Sequence, residues 1–133
     1  MKLLKILAVS ALLAVSAFTA RANELDDAMA AIEKLSNVMV QKLPASAARQ
    51  SNFAEATAAM VNTPAAITAM NQILDKIPGT VTKESYDKPG VKITKYLVIE
   101  GDSATMLLLA LNSQGQNMVL LAKGTPAALQ AYK

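Results

Sequence analysis

Two serines stand in short motifs that are typical of nucleophilic catalysis. Gly101-Asp102-Ser103 has an order in which some hydrolases place a reactive serine, and Ser85 precedes Lys88 with the S-x-x-K spacing that pairs a serine with a lysine base. The chain contains no histidine and no cysteine, so the usual base for Ser103 is missing. The S-x-x-K motif opens a helix in larger enzymes, whereas here it leads into Pro89-Gly90, which is typical of a turn. We therefore predict that the protein is not an enzyme and has no catalytic residues.

Carboxylates and thioethers are the remaining side chains that could hold a metal ion. Glu100 and Asp102 flank the glycine of one turn, but no calcium-loop spacing surrounds them, so a solvated turn is the better interpretation. All methionines after Met1 lie in apolar stretches without a clustered second methionine, which favours core packing over copper binding. They are Met29, Met39, Met60, Met70, Met106 and Met118. We accordingly predict no metal site and no cofactor.

Apolar residues at three-to-four spacing predict three helices in the first part of the chain. The first begins at Asn23 as a capping residue, continues through Leu43 and stops at Pro44. The second covers about 45–61, a stretch rich in alanine. The third begins at Thr63-Pro64, a cap followed by a first-turn proline, and ends before Pro78-Gly79.

The second part of the chain has the composition of strands joined by turns. The pattern predicts strands over 80–86, 91–100, 104–111 and 118–122, followed by a short helix from Thr125-Pro126 to Tyr132. Helices grouped before consecutive strands indicate an α+β fold. We predict a single domain over residues 23–133 with three N-terminal helices, a four-stranded antiparallel meander and a short C-terminal helix.

Four lysines surround the first predicted hairpin and form a modest basic stretch. They are Lys83, Lys88, Lys92 and Lys95. Glu84 and Asp87 dilute their charge, so we expect these lysines to protect an exposed sheet edge from pairing rather than to bind an anionic partner.

The last predicted hairpin is apolar at nearly every position, over 106–111 and 118–122. A sheet with one solvated face alternates polar and apolar residues, so both faces of this hairpin must be covered. The covering is the chain's own helices, a second copy or a hydrophobic ligand, and the sequence leaves all three open. The candidate partner or ligand face carries Leu107, Leu109, Leu111, Val119 and Leu121.

The N-terminal segment has the three parts of a cleavable signal peptide. Lys2 and Lys5 are positive, residues 6–19 carry no charge, and Ala20-Arg21-Ala22 has the small-x-small pattern that signal peptidase recognises. The uncharged run is shorter than the roughly 20 residues that a membrane-spanning helix needs. We predict cleavage after Ala22, loss of residues 1–22, and a bacterial cell-envelope protein, periplasmic or secreted, without a membrane span after cleavage.

Charge and aromatic content exclude further classes of partner. Lys2, Lys5 and Arg21 leave with the predicted signal peptide, so ten basic residues would balance the ten acidic ones. A neutral chain has no general attraction to phosphates, and its few aromatic rings are poor material for stacking on bases. We predict no nucleic-acid binding, and no disulfide because cysteine is absent.

These features together predict an exported, non-catalytic binding or interaction protein that engages a protein partner or a second copy of itself. The alternative is a carrier of a small hydrophobic or lipid ligand, held between the helices and the sheet.

Overall fold

The computed structural model describes residues 22–112 and 114–132. Of the predicted signal peptide, residues 1–21 lie outside this description. The described residues form four helices, α1 (Ala22–Glu33), α2 (Ala45–Gln50), α3 (Pro64–Asp75) and α4 (Pro126–Ala131). Six strands accompany them in the described residues, β1 (Val38–Lys42), β2 (Glu55–Val61), β3 (Thr82–Lys88), β4 (Val91–Glu100), β5 (Ser103–Asn112) and β6 (Asn117–Gly124).

The strands form a single antiparallel sheet in the order β1-β2-β6-β5-β4-β3. The last four strands of the chain run as a meander, because each pairs with the next through a short turn. β2 then pairs with the opposite side of β6, and β1 pairs with the outer side of β2. The edges of the sheet are therefore β1 and β3, while β5 and β6 lie at its centre.

The prediction of three N-terminal helices and four strands was wrong, first at residues 38–42. The helix that was predicted to run from Asn23 to Leu43 spans Ala22–Glu33, and the chain then enters β1. Asn37 has a φ of 65°, the left-handed conformation that asparagine tolerates at helix ends, and it redirects the chain. The β-branched Val38 and Val40 suit a strand, although the spacing of Met39 and Leu43 also fits a helix.

The predicted second helix is wrong for its larger part. Only Ala45–Gln50 is helical, Asn52 breaks the chain with a φ of 64°, and Glu55–Val61 is β2. Alanine favours helices by propensity, but β2 lies between two other strands and under helices on both faces. Ala56 and Ala59 are buried on its opposite faces, where small side chains allow close packing.

Each face of the sheet has its own apolar core. α1 and α3 pack on one face against residues such as Tyr96, Leu107 and Val119. α2 and α4 pack on the other against residues such as Met106, Leu108 and Leu120. The arrangement is thus α+β with helices on both faces of the sheet, and not a helical layer on one side only.

Two helix starts follow the sequence signals. The Thr63 hydroxyl accepts a hydrogen bond from the Ala66 N–H at 3.3 Å, and Pro64 occupies the first turn of α3. The Thr125 hydroxyl accepts from the Ala128 N–H at 3.2 Å in the same way at α4. Both predicted starts are confirmed.

Candidate functional site

The five residues of the predicted partner face lie on the β5–β6 hairpin. Leu107 faces Leu121, and Leu109 faces Val119 across the hairpin, so these four side chains share one face of the sheet. Leu107 and Val119 are fully buried under α1 and α3. Leu109 and Leu121 are half-buried at the margin of the same core. That these residues contact a partner or ligand stays a prediction.

The opposite face of the same hairpin is also covered by the chain itself. Met106, Leu108 and Leu120 pack with Ala48 of α2 and Leu129 of α4. At these positions the two-sided apolar pattern is therefore explained by helices on both faces. Leu111 lies farther along β5, where it is half-buried and lines an open groove of about 340 Å³ with Val91 at the β3–β4 hairpin tip.

The two serine motifs lie in ordinary turns and strands. The Ser103 hydroxyl donates to the backbone carbonyl of Glu100 at 3.1 Å, which ties the two ends of the β4–β5 turn together. Ser85 and Lys88 are exposed on β3, which is a strand and not the start of a helix. Within the described residues, no three carboxylates lie close enough together to hold a metal ion.

Lys95 is a buried charge whose role the sequence did not indicate. Its side chain is only 2% exposed, and its ammonium donates to the carbonyls of Leu129, Gln130 and Tyr132 at the end of α4. A cation at this position satisfies the last carbonyls of the helix and complements its dipole. The prediction that Lys95 protects a sheet edge is wrong, because Lys95 is buried on the same face of β4 as Ile93, in the core under α4.

Tyr96 is a titratable group whose protonation is affected by the fold. It lies on the α1–α3 face of β4 and is 7% exposed. Burial raises the pKa of its phenol above the ordinary value of 10.0, and the negative charge of Asp75 raises that pKa further. The ammonium of Lys83 lies 5.8 Å from the ring centre.

β1 is an edge strand with exposed apolar side chains. Met39 is 74% exposed and Val40 is 46% exposed, and with Ile99 they are the large apolar side chains exposed in the described part of the chain. Neighbouring residues of a strand point to opposite faces, so Met39 and Val40 make both sides of this edge apolar. The prediction that Met39 fills the core is wrong, because it rested on a helix that is not there.

The hydrogen bonds of β1 show which of its backbone groups face outward. The Leu43 N–H donates to the Ala56 carbonyl at 2.9 Å, one position beyond the last facing pair of the ladder. In an antiparallel pair, every second residue directs its backbone N–H and C=O groups to the neighbouring strand. The backbone groups of Gln41 and Met39 therefore also bond to β2. Val38, Val40 and Lys42 therefore direct their N–H and C=O groups away from β2. Among the described residues, β1 has β2 as its sole strand neighbour.

The opposite edge of the sheet has a different character. β3 has the sequence Thr-Lys-Glu-Ser-Tyr-Asp-Lys, and all its residues except the half-buried Tyr86 are exposed. Charged side chains along an edge discourage pairing with another chain. β1 carries one charge, Lys42 at its end, so the two edges of this sheet are not equally protected.

Two further open grooves lie at the periphery. One, of about 360 Å³, separates α1 from the end of α3 and is lined by Glu24, Asp27 and Lys76. The other, of about 660 Å³, lies between α2 and the start of α4 and includes Arg49 and Lys123. Lys123 is held by Asp26 at 3.0 Å, so its charge is already paired.

Comparison of the chain with protein-family models, with curated proteins and with solved structures finds no match. In the part of the chain that the structure describes, no helix is long and apolar enough to cross a membrane. The edge strand β1 is the surface whose geometry most directly suggests contact with another polypeptide.

Proposed function

We propose that this chain is an exported, non-catalytic interaction protein, and that it binds an extended protein strand along the outer edge of β1. The observation that carries the proposal is the combination of outward backbone groups at Val38, Val40 and Lys42 with the exposed side chains of Met39 and Val40. Export to the periplasm or the medium rests on the signal-peptide pattern of residues 1–22.

Strand addition suits this edge for a physical reason. An added strand bonds to the outward N–H and C=O groups, and side chains on alternate faces then provide selectivity. Met39 offers a flexible thioether on one face, and Val40 offers a branched side chain on the other. An exposed apolar edge is a hazard for aggregation, so its retention next to a well-protected opposite edge supports a role in binding.

A carrier of hydrophobic ligands has less support. Such a ligand was expected between the helices and the sheet, but side chains of the chain itself occupy this space at Leu107 and Val119, which are 0% exposed. The described grooves lie at the hairpin tip and between helix ends. We therefore place the interaction function first.

Photo-crosslinking in cells tests the proposal. The full chain is expressed with a photo-crosslinking amino acid at position 39, and a matched chain carries it at position 85 on the exposed, polar edge β3. Irradiation is expected to produce a protein adduct from position 39 at a yield well above that from position 85. If position 39 forms no adduct, the proposed interaction along β1 is wrong.

A further inference from the structure

We infer that the strand added to β1 is the β1 strand of a second copy, which joins two sheets across a two-fold axis at Val40. The inference rests on the proposed function, because it names the partner of the same edge. The described residues of each copy form a six-stranded sheet, so the dimer would have one continuous sheet with the two β3 edges at its outer ends. A second copy fits the edge in register, in side-chain packing and in charge.

The register follows from the outward backbone groups. In an antiparallel pair, residues that exchange hydrogen bonds must face each other. With the axis at Val40, this residue faces its own counterpart, and Val38 faces Lys42 of the other copy. All three outward residues are then used in both copies, which gives about six hydrogen bonds, two from each facing pair. An axis between two residues would place outward groups opposite inward ones and would lose these bonds.

The side chains also suit this register. Val40 meets its counterpart on one face, which covers two branched side chains that are each 46% exposed in a single copy. On the other face, Met39 lies opposite Gln41. The two copies of Lys42 lie at opposite ends of the pair, so like charges do not face each other. After the predicted cleavage the chain has equal numbers of acidic and basic residues, and copies would not repel each other strongly.

Pairing through the other edge is the strongest competitor. An antiparallel β3 pair centred on Ser85 would place Lys83 opposite Asp87, which is a favourable charge arrangement. It would cover mainly exposed polar side chains, however, and exposed cross-strand ion pairs contribute little. Contact of β1 with the β3 edge of another copy would not close and would build a filament, which the charges on β3 oppose. The closed β1 pair is therefore preferred.

The test measures the mass of the purified protein, produced from the full chain, by sedimentation velocity over a wide concentration range. Wild-type protein is expected to change from monomer to dimer as concentration rises. Val40→Lys places two lysines face to face across the axis, and should raise the dimer dissociation constant roughly tenfold or more. The matched control is Ser85→Lys at the centre of β3, which should leave the dissociation constant unchanged. Circular dichroism establishes that each variant is folded.

A second substitution keeps the dimer testable if Val40→Lys does not fold. Val40→Pro removes an outward N–H that β2 does not use, so the ladder between β1 and β2 keeps its bonds while the dimer loses those at the axis. It should weaken dimerisation at least as much as Val40→Lys. Loss of dimer in both Val40 variants, with the Ser85 variant still dimeric, supports the inference.

Several results would overturn the second-copy inference. These are a wild-type protein that stays monomeric at every concentration, a dimer that survives both Val40 substitutions, and a dimer that is lost only in Ser85→Lys. The crosslinking experiment separates this failure from that of the proposed function. An adduct between two copies supports both proposals, an adduct with a different protein overturns only the second-copy inference, and no adduct contradicts the interaction function itself.

Discussion

At the scale of single residues, Lys95 connects the sheet to the last helix. Its ammonium reaches the carbonyls of Gln130 at 3.3 Å and Tyr132 at 2.9 Å, and it also bonds to the Leu129 carbonyl. A buried ammonium is costly without partners, and here several carbonyl oxygens replace the lost water. The residue therefore fixes the position of α4 over Met106 and Leu108.

Removal of this charge should destabilise the fold measurably. Lys95→Met keeps the length of the side chain but leaves the Leu129 carbonyl buried without its donor. We expect the free energy of unfolding to fall by about 2 kcal/mol, the range for a buried hydrogen-bond network with a charged donor. Urea unfolding measures the change, and Lys92→Met at an exposed position of β4 is the control. Equal stability of the two variants would contradict the role assigned to Lys95.

Tyr96 makes the stability of the protein depend on alkaline pH. Its phenol has a raised pKa because of burial and, secondarily, because of Asp75. The folded state then holds the phenol proton more tightly than the unfolded state. The resulting contribution to the free energy of unfolding is complete below pH 10.0, the ordinary pKa of the phenol, and is lost as pH rises through the pKa of the folded state.

The corresponding measurement compares wild-type protein and Tyr96→Phe. Both are unfolded with urea at pH 8 and at pH 10.5. Wild-type protein should lose more stability between these two values than the variant, because the variant has no phenol at this position. The difference in free energy of unfolding between the two proteins at pH 8 measures the effect of removing the hydroxyl itself. An equal loss in both proteins would contradict the assignment.

At the scale of elements, β2 explains much of the difference between the four predicted strands and the six strands of the described residues. This strand connects the meander to the edge strand β1 through β6. Its alanines let α2 approach from one side and α1 and α3 from the other, with Ala56 and Ala59 buried. β1 has an exposed edge because it pairs with β2 on one side, while the other side of β2 pairs with β6.

The leucine face of the β5–β6 hairpin gives a prediction at this scale. Leu109 is half-buried against the core that includes α1 and α3. Leu109→Glu should lower the free energy of unfolding by about 2 kcal/mol, from lost apolar burial and poor solvation of the carboxylate. Thermal unfolding followed by circular dichroism measures it, with Ile99→Glu, at an exposed apolar position of β4 outside the proposed interface, as control. A stable variant that loses its partner would instead identify this face as an interface.

At the scale of the whole molecule, the buried core includes residues close to the predicted cleavage position. Leu25 is 0% exposed within the α1–α3 core, only three residues after the predicted cleavage position at Ala22. Cleavage farther along the chain would remove part of this core. The predicted cleavage after Ala22 would leave this part of the core in the mature chain.

We expect the exported protein to begin at Asn23. N-terminal sequencing of protein from the periplasm or the medium, after expression of the full chain, measures this directly. Ala22→Arg should reduce processing, because signal peptidase requires small residues at this site. Recovery of Met1 on wild-type protein in a membrane fraction would contradict both cleavage and export.

Local signals in the sequence were sufficient for several elements. Thr63-Pro64 and Thr125-Pro126 each combine a capping hydroxyl with a first-turn proline, and the helices begin there. Gly90 and Gly101 have φ values of 74° and 63°, which glycine adopts readily, and they mark the turns at both ends of β4. The antiparallel sheet and the α+β class were predicted from such signals, because turns and caps depend on neighbouring residues.

Only the tertiary structure decided the identity of β1 and β2. The residues of β1 have a helical spacing, and those of β2 are rich in alanine. Pairing of β2 with β6, about 60 residues later in the chain, and of β1 with β2 overrides these preferences. The exposed edge could not be predicted from the sequence for the same reason. Met39 becomes an exposed side chain only when residues 38–42 pair with β2. Burial and strand pairing are non-local quantities, and they determined both the sheet and the candidate surface on it.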